Sequence, residues 1–108
     1  MINNYRRITE NEIAFVVLKI LSEKNNGKAT ITELKHQIPD YTNLSEADRE
    51  LSMTRPNEEV WEQQVRNIIS HRNSEGNIIA EGYATYDPED HSLKITDRGR
   101  VYIKNHNL

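Results

Sequence analysis

The chain has 108 residues, 35% apolar and 29% charged, a length suited to one domain and a balance that permits one modest core under a well-solvated surface. It contains no cysteine, which excludes a disulfide framework and a thiolate metal site and suits a reducing cytoplasm. The formal net charge of -3 argues against a protein that coats nucleic acid unselectively, because such binding is driven by Lys and Arg displacing counterions from phosphate. Any DNA contact must use a local basic face.

In chain order, Met1 to Tyr5 lack the positive cluster and apolar run of a signal peptide, and no apolar stretch approaches a bilayer span, so a cytoplasmic protein without a membrane segment is expected. Thr9 and Glu12 form a capping box, and Ile13, Val16, Val17, Ile20 and Leu21 recur behind it at helical spacing, which predicts a first helix over Thr9 to Lys24. Asn25, Asn26 and Gly27 tolerate left-handed backbone and end it. Lys28 to Thr30 are read as a very short strand. Thr30 and Glu33 form a second capping box before Ile31, Leu34 and Ile38, and Pro39 is expected to end that helix.

Asp40 to Arg55 are mostly polar and read as a long connection with one helical turn near Ser45 to Glu50. The third helix is expected over residues 57–73, with Pro56 in its first turn, Glu58, Glu59 and Glu62 at its positive end, and an apolar stripe of Trp61, Val65, Ile68 and Ile69. Trp61 is expected to anchor the core. Ser74 to Asn77 is turn chemistry, after which Ile78, Ile79, Tyr83, Thr85 and Tyr86 read as an extended strand. The spacing of Tyr83 and Tyr86 predicts that one faces inward and the other outward. Asp87 to His91 make a hairpin tip, Ser92 to Ile95 the return strand, and Thr96 caps a short final helix through Arg98, Val101, Tyr102 and Ile103.

The fold class expected is α+β and mainly α, a single domain over residues 1–108. Three helices followed by a hairpin describe the winged helix-turn-helix: a three-helix bundle, a C-terminal β-hairpin wing and a short final helix. Leu44-Ser45-Glu46-Ala47-Asp48-Arg49, Trp61 to Arg72, and Ile95-Thr96-Asp97-Arg98-Gly99-Arg100 together resemble the winged-helix domain at the N-terminus of Mrr-type restriction endonucleases. The resemblance covers about the C-terminal two thirds of the chain. It implies a DNA-recognition module of a restriction-modification or related DNA-processing system, with double-stranded DNA and a nuclease domain or subunit as partners.

With Trp61, Val65 and Ile68 turned inward, helical geometry sends Glu59, Gln63, Arg66, Asn67 and Ser70 outward. Arg can grip guanine, and Asn and Gln can pair with adenine, so this face has the vocabulary of major-groove readout, although a solvated polar face would have the same composition. Arg72, Lys94, Arg98 and Arg100, with Lys28, are the candidate phosphate contacts near the hairpin and helix ends. Gly99 is expected to let the last helix sit close to its neighbours. The wing tip is acidic, with Asp87, Glu89 and Asp90, and is poorly suited to a minor groove.

Catalysis is not expected. Pro39-Asp40 resembles the start of an acidic nuclease metal site, but no downstream Glu-x-Lys or Asp-x-Lys completes it. His36, His71, His91 and His106 are too widely spaced for a zinc site and are read as surface residues, and neither a cofactor loop nor a nucleophile motif is present. The competing reading is a protein-interaction winged helix, including a homodimer, that never touches nucleic acid. The net charge and acidic wing favour it.

Overall fold

A computed structural model describes residues 6–55 and 57–106. Four helices and a small three-stranded antiparallel sheet alternate along the chain: α1 (Glu10–Ser22), β1 (Lys28–Thr30), α2 (Ile31–Tyr41), α3 (Val60–Ser70), β2 (Ala84–Asp87), β3 (Ser92–Ile95) and α4 (Asp97–His106). The chain is thus α+β and mostly helical. Met1 to Tyr5 and Pro56, the latter expected in the first turn of the third helix, lie outside the described residues.

Helix α1 is the central element, packing against α2, α3, α4 and β3. Both capping boxes form: Thr9 and Thr30 accept from the N–H groups of Glu12 and Glu33, whose carboxylates return to the N–H groups of Thr9 and Thr30. The core joins Ile13, Val17, Leu18, Ile20 and Leu21 of α1 to Leu34 and Ile38 of α2, Trp61, Val65 and Ile68 of α3, and Leu93 and Ile95 of β3. Each such side chain contributes about 1.5 to 3 kcal/mol when fully buried. Trp61 is core, and its indole N–H is satisfied by Glu59 Oε1 at 2.9 Å.

The strand order is β1-β3-β2, with Ala29 opposite Leu93 and Tyr86 also opposite Leu93. Gly27, with φ of +67°, makes the turn from α1 into β1, and its carbonyl accepts from Ile95 N–H. The hairpin tip is tied to α2: His91, held at φ of +52°, offers its carbonyl to the first N–H of α2, from Ile31, at 2.8 Å.

Four boundaries differ from expectation. Pro39 sits inside α2, which ends two residues later where Thr42 N–H reaches the Ile38 carbonyl; a proline in the last turn sacrifices one bond without breaking the preceding turns. Helix α3 begins at Val60 with Glu59 as its N-cap, so Glu58 precedes the helix, and it stops at Ser70 rather than near Asn73. Ile78 and Ile79 are a turn, not a strand. Buried Asn77 dictates this, accepting from Ile79 N–H and donating to the Ile68 carbonyl at the end of α3. Finally, Tyr83 and Tyr86 do not split inward and outward: both are half-buried, because Tyr83 precedes β2 and stacks on Tyr102 while Tyr86 faces α3 from within the strand.

The expected turn at Ser45 to Glu50 is present, and its purpose is visible. Asp48, only 2% exposed, accepts from Ile8 N–H at 2.7 Å and Ser45 N–H at 2.9 Å, while its carbonyl accepts from Trp61 N–H. Ser45 Oγ donates to the Arg6 carbonyl. The turn therefore clamps the residues before α1 to the start of α3.

Candidate functional site

The face of α3 turned from the core is not free. Gln63 Nε2 donates to Ser52 Oγ at 2.7 Å and Thr54 Oγ1 at 3.0 Å, so the segment before the helix folds back over its first turns. Arg66 is paired with Glu58, and Asn67 donates to Gln64 within the helix. Ser70 is exposed. Of the five residues expected on the outer face, Gln63 and Arg66 are thus held by residues 52–58.

The outer face instead turns toward a groove where α2, α3 and the hairpin meet. It encloses about 310 Å³ and is lined by Ile31, Thr32 and Lys35 of α2, Arg66 and Ile69 of α3, Tyr86 of β2, and His91. Tyr86 Oη lies 2.9 Å from His91 Nδ1. Arg72, just past α3, donates to the Ile69 carbonyl at 2.9 Å and places its guanidinium carbon 6.0 Å from the Tyr86 ring centre. Three cations, Lys35, Arg66 and Arg72, therefore converge around one tyrosine. Lys35 and the Tyr86–His91 pair were not among the expected contacts. Lys35 follows core residue Leu34 on α2, and nothing in a single sequence says which helix that flank will meet.

Two carboxylates face these cations. Glu58 Oε2 accepts from Lys35 at 3.2 Å and from Arg66, and Glu62 lies 3.8 Å from Lys35. Burial pushes the Glu58 carboxyl up, but the hydrogen bonds and charges of Lys35 and Arg66 together outweigh it and hold the group below its usual range.

The remaining expected phosphate contacts lie elsewhere. Alternation along the strands puts Thr85, Lys94 and Lys28 on the sheet face opposite Tyr86 and Leu93, with Lys28 and Lys94 directly across from each other. Lys28 is paired with Asp90 at 2.8 Å. That partner raises the lysine above its ordinary value, and Lys28 with Ser92 Oγ lowers Asp90. Arg100 reaches the α1 end of the sheet, within 3.5 Å of the Ser22 carbonyl and against Gly27. Arg98 lies beside the other edge strand, 5.3 Å over the Tyr83 ring. The expected patch is therefore divided: Arg72 lies beside the groove at Tyr86, Lys94 with Lys28 is on the outer sheet face, and Arg100 is at the α1 end next to Gly27.

At the hairpin tip Asp87 Oδ1 accepts from Glu89 N–H and Asp90 is engaged by Lys28 and Ser92, so these two acids stabilise the loop. His71 Nδ1 lies 2.8 Å from Glu10, and His106 Nδ1 is 2.8 Å from the Tyr102 carbonyl. Among the described residues no cluster of His, Asp and Glu is arranged to hold a metal, and no helix is long and apolar enough to cross a membrane. No family model matches the chain, and neither a curated protein nor a solved structure matches it.

Proposed function

We propose that this chain is a winged-helix module that docks on duplex DNA, with α3 presented to the major groove and β2–β3 as the wing. The observation that carries the reading is that Lys35 and Arg66 line the groove beside the exposed end of α3, with Arg72 next to it over Tyr86. Asn67 and Ser70 are the residues able to reach base edges, and Lys35, Arg66 and Arg72 serve phosphate. The resemblance to the N-terminal domain of Mrr-type restriction endonucleases supports a place in a restriction-modification or related DNA-processing system, with a nuclease domain or subunit as partner.

The experiment is a titration against duplex DNA between about 50 and 200 mM salt, where a phosphate-dependent contact weakens steeply. Asn67→Ala should reduce discrimination between sequences, and Arg66→Ala and Arg72→Ala should each lower affinity on all of them. Duplex affinity that ignores salt and all three substitutions would remove the groove from consideration.

A second reading is favoured by one specific feature. Leu51 is 66% exposed and Met53 98% exposed on the segment that covers the start of α3, which suits a protein partner better than a polyanion. A protein-docking or homodimeric module would show self-association in sedimentation that Leu51→Ser with Met53→Ser abolishes, and no salt-dependent DNA binding.

A further inference from the structure

The pairing of Lys35 and Arg66 with Glu58 is chemically incomplete. One carboxylate oxygen, Oε2, takes both cations, while Glu58 Oε1 and Arg66 Nε are buried without any partner. A guanidinium meets an oxyanion best through two parallel N–H bonds, and here Arg66 uses one. The site thus holds an unused donor next to a lysine, occupied by an acceptor that cannot serve both fully.

The approaches to the two sides differ. Lys35 and Arg66 line the groove, whereas Glu58 lines a separate hollow of about 330 Å³ with Thr54, Arg55 and Asn57. The Glu58 backbone is fixed, its N–H on the Arg55 carbonyl and its own carbonyl on Ser52 N–H, so only the side chain needs to turn for the carboxylate to leave. The groove wall adds Thr32 and the hydrogen-bonded Tyr86 and His91. A tetrahedral phosphate has enough oxygens to accept both Arg66 donors and Lys35 at once.

We infer that Lys35 and Arg66 form a binding site for a phosphate group, entered from the groove, and that Glu58 is its resident competitor, displaced toward Thr54 and Asn57 when phosphate binds. The inference rests on the duplex reading only for the source of the phosphate, which would then be the DNA backbone. In the free protein Glu58, with Glu62 beside Lys35, offsets the charge of the pair and suppresses weak, unselective contacts. A correctly seated duplex exchanges one carboxylate for a better-matched oxyanion.

The test is titration of ¹⁵N-labelled protein with inorganic phosphate at fixed ionic strength, followed at the Arg66 Nε–H resonance. The wild-type chain should give a weak saturable shift. Glu58→Gln should bind about tenfold more tightly, the effect of removing one nearby like charge, and Lys35→Met should weaken binding by a similar factor. Glu58→Ala should tighten binding in the same direction, which keeps the test open if the glutamine variant folds poorly. Equal phosphate affinity in the wild type and in the folded Glu58 variants, or no saturable shift in any of them, overturns the inference. Repeating the series with duplex DNA separates the two readings. Phosphate binding that responds to Glu58 without duplex binding leaves the site standing and removes its assignment to DNA. Duplex binding with a phosphate response indifferent to Glu58 does the reverse.

Discussion

Asp48 carries more of the fold than its place in a polar connection suggests. Its carboxylate is the acceptor for two backbone N–H groups, from Ile8 and Ser45, in a position almost closed to water. Asp48→Ala leaves both donors unmatched and should cost about 3 kcal/mol, since each buried unpaired group costs about 1 to 3 kcal/mol. Asp48→Asn keeps one acceptor oxygen and should lose roughly half of that. Urea unfolding of the two variants checks the order, and an alanine variant as stable as the wild type would show that the turn is not a clamp. Gly99 is comparably constrained: a Cβ there would lie 2.1 Å from the Tyr83 carbonyl oxygen, so α4 sits where only glycine permits. Gly99→Ala must push α4 from β2 and should destabilise by about 3 kcal/mol, read as a lower melting temperature.

These two residues belong to the motifs that carry the resemblance, and both act structurally. Ser45 and Asp48 knit a turn, while Thr96 accepts from Gly99 N–H and donates to the Gly82 carbonyl, locking α4 against the entry to β2. The elements were legible where one local rule decides them: capping boxes at Thr9 and Thr30, the stripe of Trp61, Val65 and Ile68, the cap at Thr96. They were not legible where a distant partner decides. Ile78 and Ile79 have strand chemistry, yet Asn77 spends its amide on the end of α3 and folds them into a turn. The site divides similarly. Periodicity identified the outer face of α3, but that Ser52, Thr54 and Glu58 would occupy part of it depends on how the long connection between α2 and α3 returns, which no spacing rule encodes.

The capping boxes also make a prediction about pH. Glu12 is held below its ordinary value of 4.5 by its bond to Arg6 and then by Thr9 N–H, and Glu33 below the same value by Thr30 N–H and then the Thr30 hydroxyl. Carboxyls lowered in the folded state contribute stability above pH 4.5 that is lost as pH falls through their folded values. Stability should therefore decline below that pH as α1 and α2 lose their caps. Glu12→Gln with Glu33→Gln should be less stable at neutral pH and show a shallower acid decline, measured as urea midpoints across the range. Parallel pH profiles for variant and wild type would exclude the caps as its source.

At the scale of the whole molecule, a net charge of -3 forces any polyanion to approach by one side. Two groups of cations lie on different sides: Lys35 and Arg66 in the groove with Arg72 beside it, and Lys28 and Lys94 on the outer face of the sheet. A rigid duplex seated against α3 meets the first set, while strand alternation turns Lys94 away from it. Arg72→Ala should then reduce the slope of log affinity against log salt by about one, as expected for one lost phosphate contact. Lys94→Ala should leave that slope unchanged, although both substitutions remove one positive charge. Equal losses from the two would mean that the sheet face shares the contact and that the duplex wraps the hairpin. A loss confined to Lys94 would transfer the DNA surface to the sheet and leave the groove, with its carboxylate-held cations, for another anion.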